Sequence, residues 1–214
     1  MAVTTHPHAG QPVLRSGPLP KEARLVAIML HGRGASAEDI LTLAGHFSAS
    51  DVAYIAPQAA GSAWYPYSFL APIEQNEPWL GSALRVISSL TDDLGRQGIP
   101  PERLVVMGFS QGACLTLEFA ARHPRRYAAV VAFTGGLIGP AGTPRSHQGN
   151  FEGTPVFIGS SDVDPHVPLE RVRESSAVFR RMGASVDERI YPGMGHTVDA
   201  DEVRAADALL RAGS

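Results

Sequence analysis

Cysteine is almost missing from this chain of 214 residues. With Cys114 alone, no intramolecular disulfide can close and no cysteine cluster can hold a metal. Lysine is as scarce, since Lys21 is the single example among the 18 basic residues. The basic residues form no stripe and the formal net charge is −3. Nothing is therefore available to neutralise a row of phosphates, and nucleic acid is excluded as a partner. Long apolar runs are missing too. The longest, such as residues 25–30, fall far short of the ~20 residues that cross a bilayer, so no stable membrane insertion is expected. Residues 1–20 are polar, rich in Pro and Gly, and lack the apolar core of a secretory signal. These absences point to a cytoplasmic location. There is no internal repeat and no low-complexity linker, so residues 1–214 read as one domain with a loosely ordered lead-in over 1–20.

What is present is a globular composition, 44% apolar and 18% charged. Apolar runs at 25–30, 52–56, 104–109 and 128–133 suit strands buried on both faces. Weaker runs lie at 155–158 and 186–191, and an edge strand fits around 11–16. Helical patterns fall between them, at 37–48, 80–98, 111–122, 169–182 and 199–211. Strands alternating with helices imply a single, mostly parallel α/β sheet with helices on both faces and no large cap domain. The stretch 58–78 is long, aromatic and aperiodic, and loops of that length are usually functional.

The sharpest local signal is Gly108-Phe109-Ser110-Gln111-Gly112, set between a strand run and a helix run. That context is the one a G-x-S-x-G nucleophile turn requires. Small flanking residues let the chain turn tightly, lift the Ser110 hydroxyl clear of the sheet and place it at a helix N-terminus, where an oxyanion is favoured. A serine hydroxyl also needs a base and an acid that orients it. In chain order the acid precedes the histidine. Asp162 and Asp164 both follow the run at 155–158, and the residues alone leave the choice between them open. His196, in Gly193-Met194-Gly195-His196, is the candidate base. His6 and His8 form an H-x-H on the lead-in and read as solvated surface. His166 reads as a loop histidine beside the acids.

His31-Gly32-Arg33-Gly34 follows the first strong strand run and can aim a backbone N–H at an oxyanion, so the N–H groups of Arg33 and Gln111 are the candidate donors. The cluster Trp64-Tyr65-Pro66-Tyr67-Ser68-Phe69-Leu70 reads as a pocket wall, with Trp64, Tyr65, Phe69 and Leu70 facing substrate. Cys114, one helical turn beyond Ser110, reads as a small buried residue.

Together these motifs resemble the phospholipase/carboxylesterase family of α/β-hydrolases, which includes acyl-protein thioesterases and small bacterial carboxylesterases. The resemblance spans residues 30–196 and rests on the two glycine-rich turns, on Asp164-Pro165-His166-Val167-Pro168 and on Gly193-Met194-Gly195-His196. It implies Ser110 as nucleophile, His196 as base, Asp164 as the orienting acid, and Arg33 and Gln111 as oxyanion donors. It implies no metal and no organic cofactor. Ala113 stands where thioesterase members commonly carry a second glycine, and the loop at 64–72 is closer to the bacterial esterases. The expected activity is hydrolysis of small-molecule carboxylic esters with short to medium acyl chains through an acyl-enzyme. The alternatives are a thioesterase or lysophospholipase acting on longer chains, or a ligand-binding protein on the same fold. Exposed aromatic loops could pair two copies into a homodimer.

Overall fold

A computed structural model describes residues 6–213. Seven strands form one sheet: β1 (Val13–Ser16), β2 (Leu25–Leu30), β3 (Val52–Pro57), β4 (Leu104–Phe109), β5 (Ala129–Phe133), β6 (Pro155–Ser161) and β7 (Ser185–Tyr191). Their order is β1-β3-β2-β4-β5-β6-β7. Only β1 runs antiparallel, paired with β3. Among the described residues, five α-helices cover the faces: α1 (Ala37–Thr42), α2 (Trp79–Arg96), α3 (Gln111–Arg122), α4 (Leu169–Arg181) and α5 (Ala200–Ala212).

The continuous apolar runs are explained by the two cores. In β2, Val26, Ile28 and Leu30 face the side covered by α2, α3 and α4. Leu25, Ala27 and Met29 face the side covered by α1 and α5. Successive side chains of a strand point to opposite faces, so a central strand with two covered faces must be apolar throughout. At the far edge, β7 carries the Asp187–Arg189 ion pair, which discourages a further strand from adding there.

From β2 the chain steps to β3 on one side, then returns to β4 on the other. Right-handed crossovers in opposite directions fall on opposite faces, which is why α1 and α2 are parted. The carboxyl ends of β2 and β4 flank the resulting crevice, where open α/β sheets bind ligands.

Two segments depart from the sequence reading for clear reasons. The helix expected over 37–48 is α-helical only to Thr42 and then tightens into a 3₁₀ turn, Leu43–His46. Gly45 lies in that turn, and short 3₁₀ pieces commonly end helices. In the other direction, β6 runs on through Gly159-Ser160-Ser161 because β7 pairs with it as far as Ser161 opposite Tyr191. Pairing outweighs the low strand preference of Gly and Ser. Among the described residues, no helix is long and apolar enough to cross a membrane.

Candidate active site

Ser110 sits at the turn between β4 and α3 with φ 54° and ψ −116°. A non-glycine residue in this region stores about 1–3 kcal/mol of strain and persists only where its surroundings hold it. Here the Ser110 N–H donates to the Phe133 carbonyl at 2.9 Å, and its carbonyl accepts from the Cys114 N–H at 3.0 Å. The flanking glycines are forced. A Cβ on Gly112 would lie 2.0 Å from the Leu30 oxygen, and one on Gly108 would lie 2.5 Å from the Gly112 backbone. Gly112→Ala must therefore push α3 off β2. We expect a loss of about 3 kcal/mol, a fall in melting temperature of roughly 10 °C. A thermal melt checks it, and an unchanged midpoint would refute the close approach.

Ser110, His196 and Asp164 join in an unbroken chain. His196 Nε2 lies 2.7 Å from Ser110 Oγ, and its Nδ1 lies 2.7 Å from Asp164 Oδ2. The other Asp164 oxygen accepts the N–H groups of His166 and Val167, each at 2.8 Å. Burial alone would raise the Asp164 pKa. The His196 hydrogen bond and the two backbone donors outweigh it and hold the carboxyl below its ordinary value. The Phe109 ring packs at 5.2 Å from the imidazole, and the His166 ring meets it edge-on at 4.8 Å. Such a chain can draw a proton from a hydroxyl and return it to a leaving group.

The two aspartates that the sequence left ambiguous have separate positions. Asp162 does not reach His196. Its Oδ1 accepts the Gly193 N–H at 2.8 Å, tying the loop that carries the acid to the loop that carries the histidine.

Arg33 lies in the turn after β2 and Gln111 at the start of α3. Both residues line the cavity above Ser110, and among the described residues neither amide donates to a protein acceptor outside the regular elements. Their side chains do different work. Gln111 is buried, its Oε1 accepting from Trp64 N–H at 2.8 Å and its Nε2 donating to the Tyr65 carbonyl at 2.8 Å. The Arg33 guanidinium donates to the carbonyls of Pro66 and Tyr67. Both residues thus clamp the aromatic loop against the turns that carry the amides. Asn76, fully buried, braces the same loop by accepting from Tyr67 N–H and donating to the Ser68 carbonyl. None of these bracing roles is visible in the sequence motifs.

The cavity measures about 420 Å³. Tyr65, Phe69 and Val167 supply apolar wall, while Cys114 lies deep beside Ser110. Burial pushes the Cys114 thiol up to about 12, so it stays protonated and is no rival nucleophile. Trp64 and Leu70 correct the expected wall, for neither lines the cavity. Trp64 is wholly buried behind it, with its indole N–H donating to the His31 carbonyl. Leu70 packs instead against the core beneath the loop.

The lead-in brings a second correction. His8 is only 2% exposed and packs between the rings of Trp64 and Trp79, tilted against the first and edge-on to the second. Its Nδ1 accepts the Ala60 N–H and its Nε2 donates to the Trp64 carbonyl. His31 does the same from the other side, its Nε2 accepting the Ala59 N–H. His6 Nδ1 lies 2.6 Å from Ser82 Oγ on α2. The chain doubles back over the loop at 58–78, which local polarity cannot reveal; residues 1–5 of the expected loose segment lie outside the described residues.

Both acceptor imidazoles must be neutral, and burial lowers both pKa values from 6.5. The unfolded chain then binds protons that the folded one refuses as pH drops below 6.5, so this part of the stability is complete above that value and lost below it. Glu202 works in the opposite sense, since burial raises it to about 7 from 4.5 and folding then favours its protonated form. The histidine contribution is isolated by difference: His8→Gln should lose less melting temperature than the native chain between pH 7.5 and 5.5. Parallel melting curves across that range would refute it.

A profile of the phospholipase/carboxylesterase family matches residues 18–213. The crystal structure of a phospholipase/carboxylesterase from Dyadobacter fermentans superposes with a TM-score of 0.92 at 42% identity, covering 99% of this chain and 100% of that one. Acyl-protein thioesterase 1 of Gibberella zeae is 32% identical over 117 residues, 53% of this chain and 49% of its own length. A probable carboxylesterase (SOBER1-like) of Arabidopsis thaliana is 23% identical over 206 residues, 88% of this chain and 79% of its own. The chain spans about half the length of the first of these curated relatives.

Proposed function

The chain belongs to the phospholipase/carboxylesterase family of α/β-hydrolases, and from that premise we propose that it hydrolyses small-molecule carboxylic esters of short to medium acyl chain. His196 Nε2 takes the proton of Ser110 as Oγ bonds to the ester carbonyl carbon. The carbonyl oxygen becomes an anion and is received by the N–H groups of Arg33 and Gln111. The tetrahedral centre collapses, the C–O bond to the alcohol breaks, and His196 returns the proton to the departing oxygen. Water, deprotonated by the same imidazole, then releases the acid and frees Ser110. Asp164 keeps the proton on Nδ1 throughout. The observation that carries this reading is the hydrogen-bond chain from Asp164 through His196 to Ser110, in a cavity that Arg33 and Gln111 also line.

The test is a steady-state series of p-nitrophenyl esters from acetate to palmitate, with fluorophosphonate labelling mapped by peptide mass. Label on Ser110 and rates that fall towards palmitate are expected, because the buried side chains of Tyr65, Phe69 and Cys114 form part of the wall of this cavity of about 420 Å³. Rates that peak at long chains would replace this reading with the thioesterase or lysophospholipase one. No labelling and no turnover would leave a ligand-binding protein on a hydrolase fold.

A further inference from the structure

A second concavity, also of about 420 Å³, shares His196 with the first. Gly32 and Phe109, close to the Ser110 turn, line it together with the apolar side chains of Ile40, Leu43 and Val198. His196 lines both cavities, so the two meet at the residue that handles the proton. The polar groups of the groove are largely committed elsewhere. The Asp39 carboxylate accepts the Ser36 N–H and hydroxyl in the cap of α1, and His31 Nε2 accepts the Ala59 N–H. His46, Thr42 and Thr197 also line it.

The two cavities are not equivalent towards an ester. The first holds the nucleophile and both amides, so the carbonyl and its acyl chain belong there. The alkoxide or thiolate must leave past the atom that protonates it, His196 Nε2. We infer that the apolar body of the departing alcohol or thiol lies in the second groove, against Leu43, Ile40, Phe109 and Val198. This rests on the ester-hydrolase reading above and adds to it a second selectivity, for the alcohol rather than the acid. Leu43 is the residue placed to set it. It sits in the 3₁₀ turn after α1, is half-buried and belongs to neither the strained turn nor the hydrogen-bond chain.

The experiment holds the acyl group at acetyl and varies the alcohol through methyl, phenyl and 2-naphthyl. Each variant is compared with the native chain ester by ester, which cancels the intrinsic reactivity of the alcohols. Leu43→Trp fills the groove and is expected to lower kcat/KM for 2-naphthyl acetate about tenfold more than for methyl acetate. Leu43→Ala, which keeps the proposal testable should the larger side chain disturb folding, is expected to shift the preference towards 2-naphthyl. Hydrolysis of the acetyl-enzyme formed from any of these esters should proceed at one rate within each variant, because the alcohol has already gone. Across p-nitrophenyl esters the acyl-chain profile should keep its shape. An equal loss for every alcohol, or a reshaped acyl profile, would overturn the groove assignment while leaving the hydrolase reading standing. Turnover that persists undiminished in Ser110→Ala would overturn both.

Discussion

Ser110→Ala is expected to lower kcat by about 10⁶-fold on every ester that the native chain turns over. Among the described residues, the Ser110 hydroxyl is the nucleophile that His196 Nε2 hydrogen-bonds, and the nearby Cys114 thiol is held protonated by burial. His196→Ala should cost about as much, and the double replacement little more, since the two groups act as one unit. A residual rate above that in water would be left to the Arg33 and Gln111 amides and to substrate binding. The fold should not suffer, because alanine at φ 54° carries the same kind of strain as the serine. A matching melting temperature beside a collapsed kcat is the expected pair of results. A fall of less than tenfold would refute Ser110 as the nucleophile.

The second large effect separates the two aspartates. Asp164→Asn is expected to cost about 10⁴-fold in kcat. Two backbone N–H groups, from His166 and Val167, point at one carboxylate oxygen. An amide would turn its carbonyl oxygen towards them and leave its NH₂ facing His196 Nδ1. That nitrogen must then accept, the ring proton moves to Nε2, and the imidazole can no longer take a proton from Ser110. Asp162→Asn should cost less than about tenfold, because its amide oxygen can still accept from Gly193 N–H. Steady-state rates of the two variants decide it, and the reverse ranking would make Asp162 the orienting acid.

The parts of this molecule that were legible in the sequence are those set by local rules. The runs at 25–30 and 104–109 match β2 and β4, because a strand covered on both faces leaves no polar position. The helix read over 111–122 also matches, framed by Ser110 before it and His123-Pro124 after it. The G-x-S-x-G turn was legible because each glycine answers a steric demand within four residues or from one neighbouring strand. The choice between Asp162 and Asp164 was not, since two residues on one loop point by virtue of what the loop packs against. The aromatic cluster marked a wall, yet which rings face inward depended on Gln111 and Arg33, more than thirty residues away, and on Asn76 at the far end of the same aperiodic stretch. His8 was misread for the same reason: its partners are more than fifty residues away.

That last contact bears on how the protein is handled. The segment around His8 acts as a wedge driven behind the pocket wall, held by Ser82, Trp64 and Ala60. Proteolytic clipping just beyond Gly10 would pull the wedge out while sparing every group that handles protons. Samples nicked there would keep a reactive serine while the wall before Trp64 lost its backing, so two preparations with equal active-site titres would rank esters of different acyl chains differently.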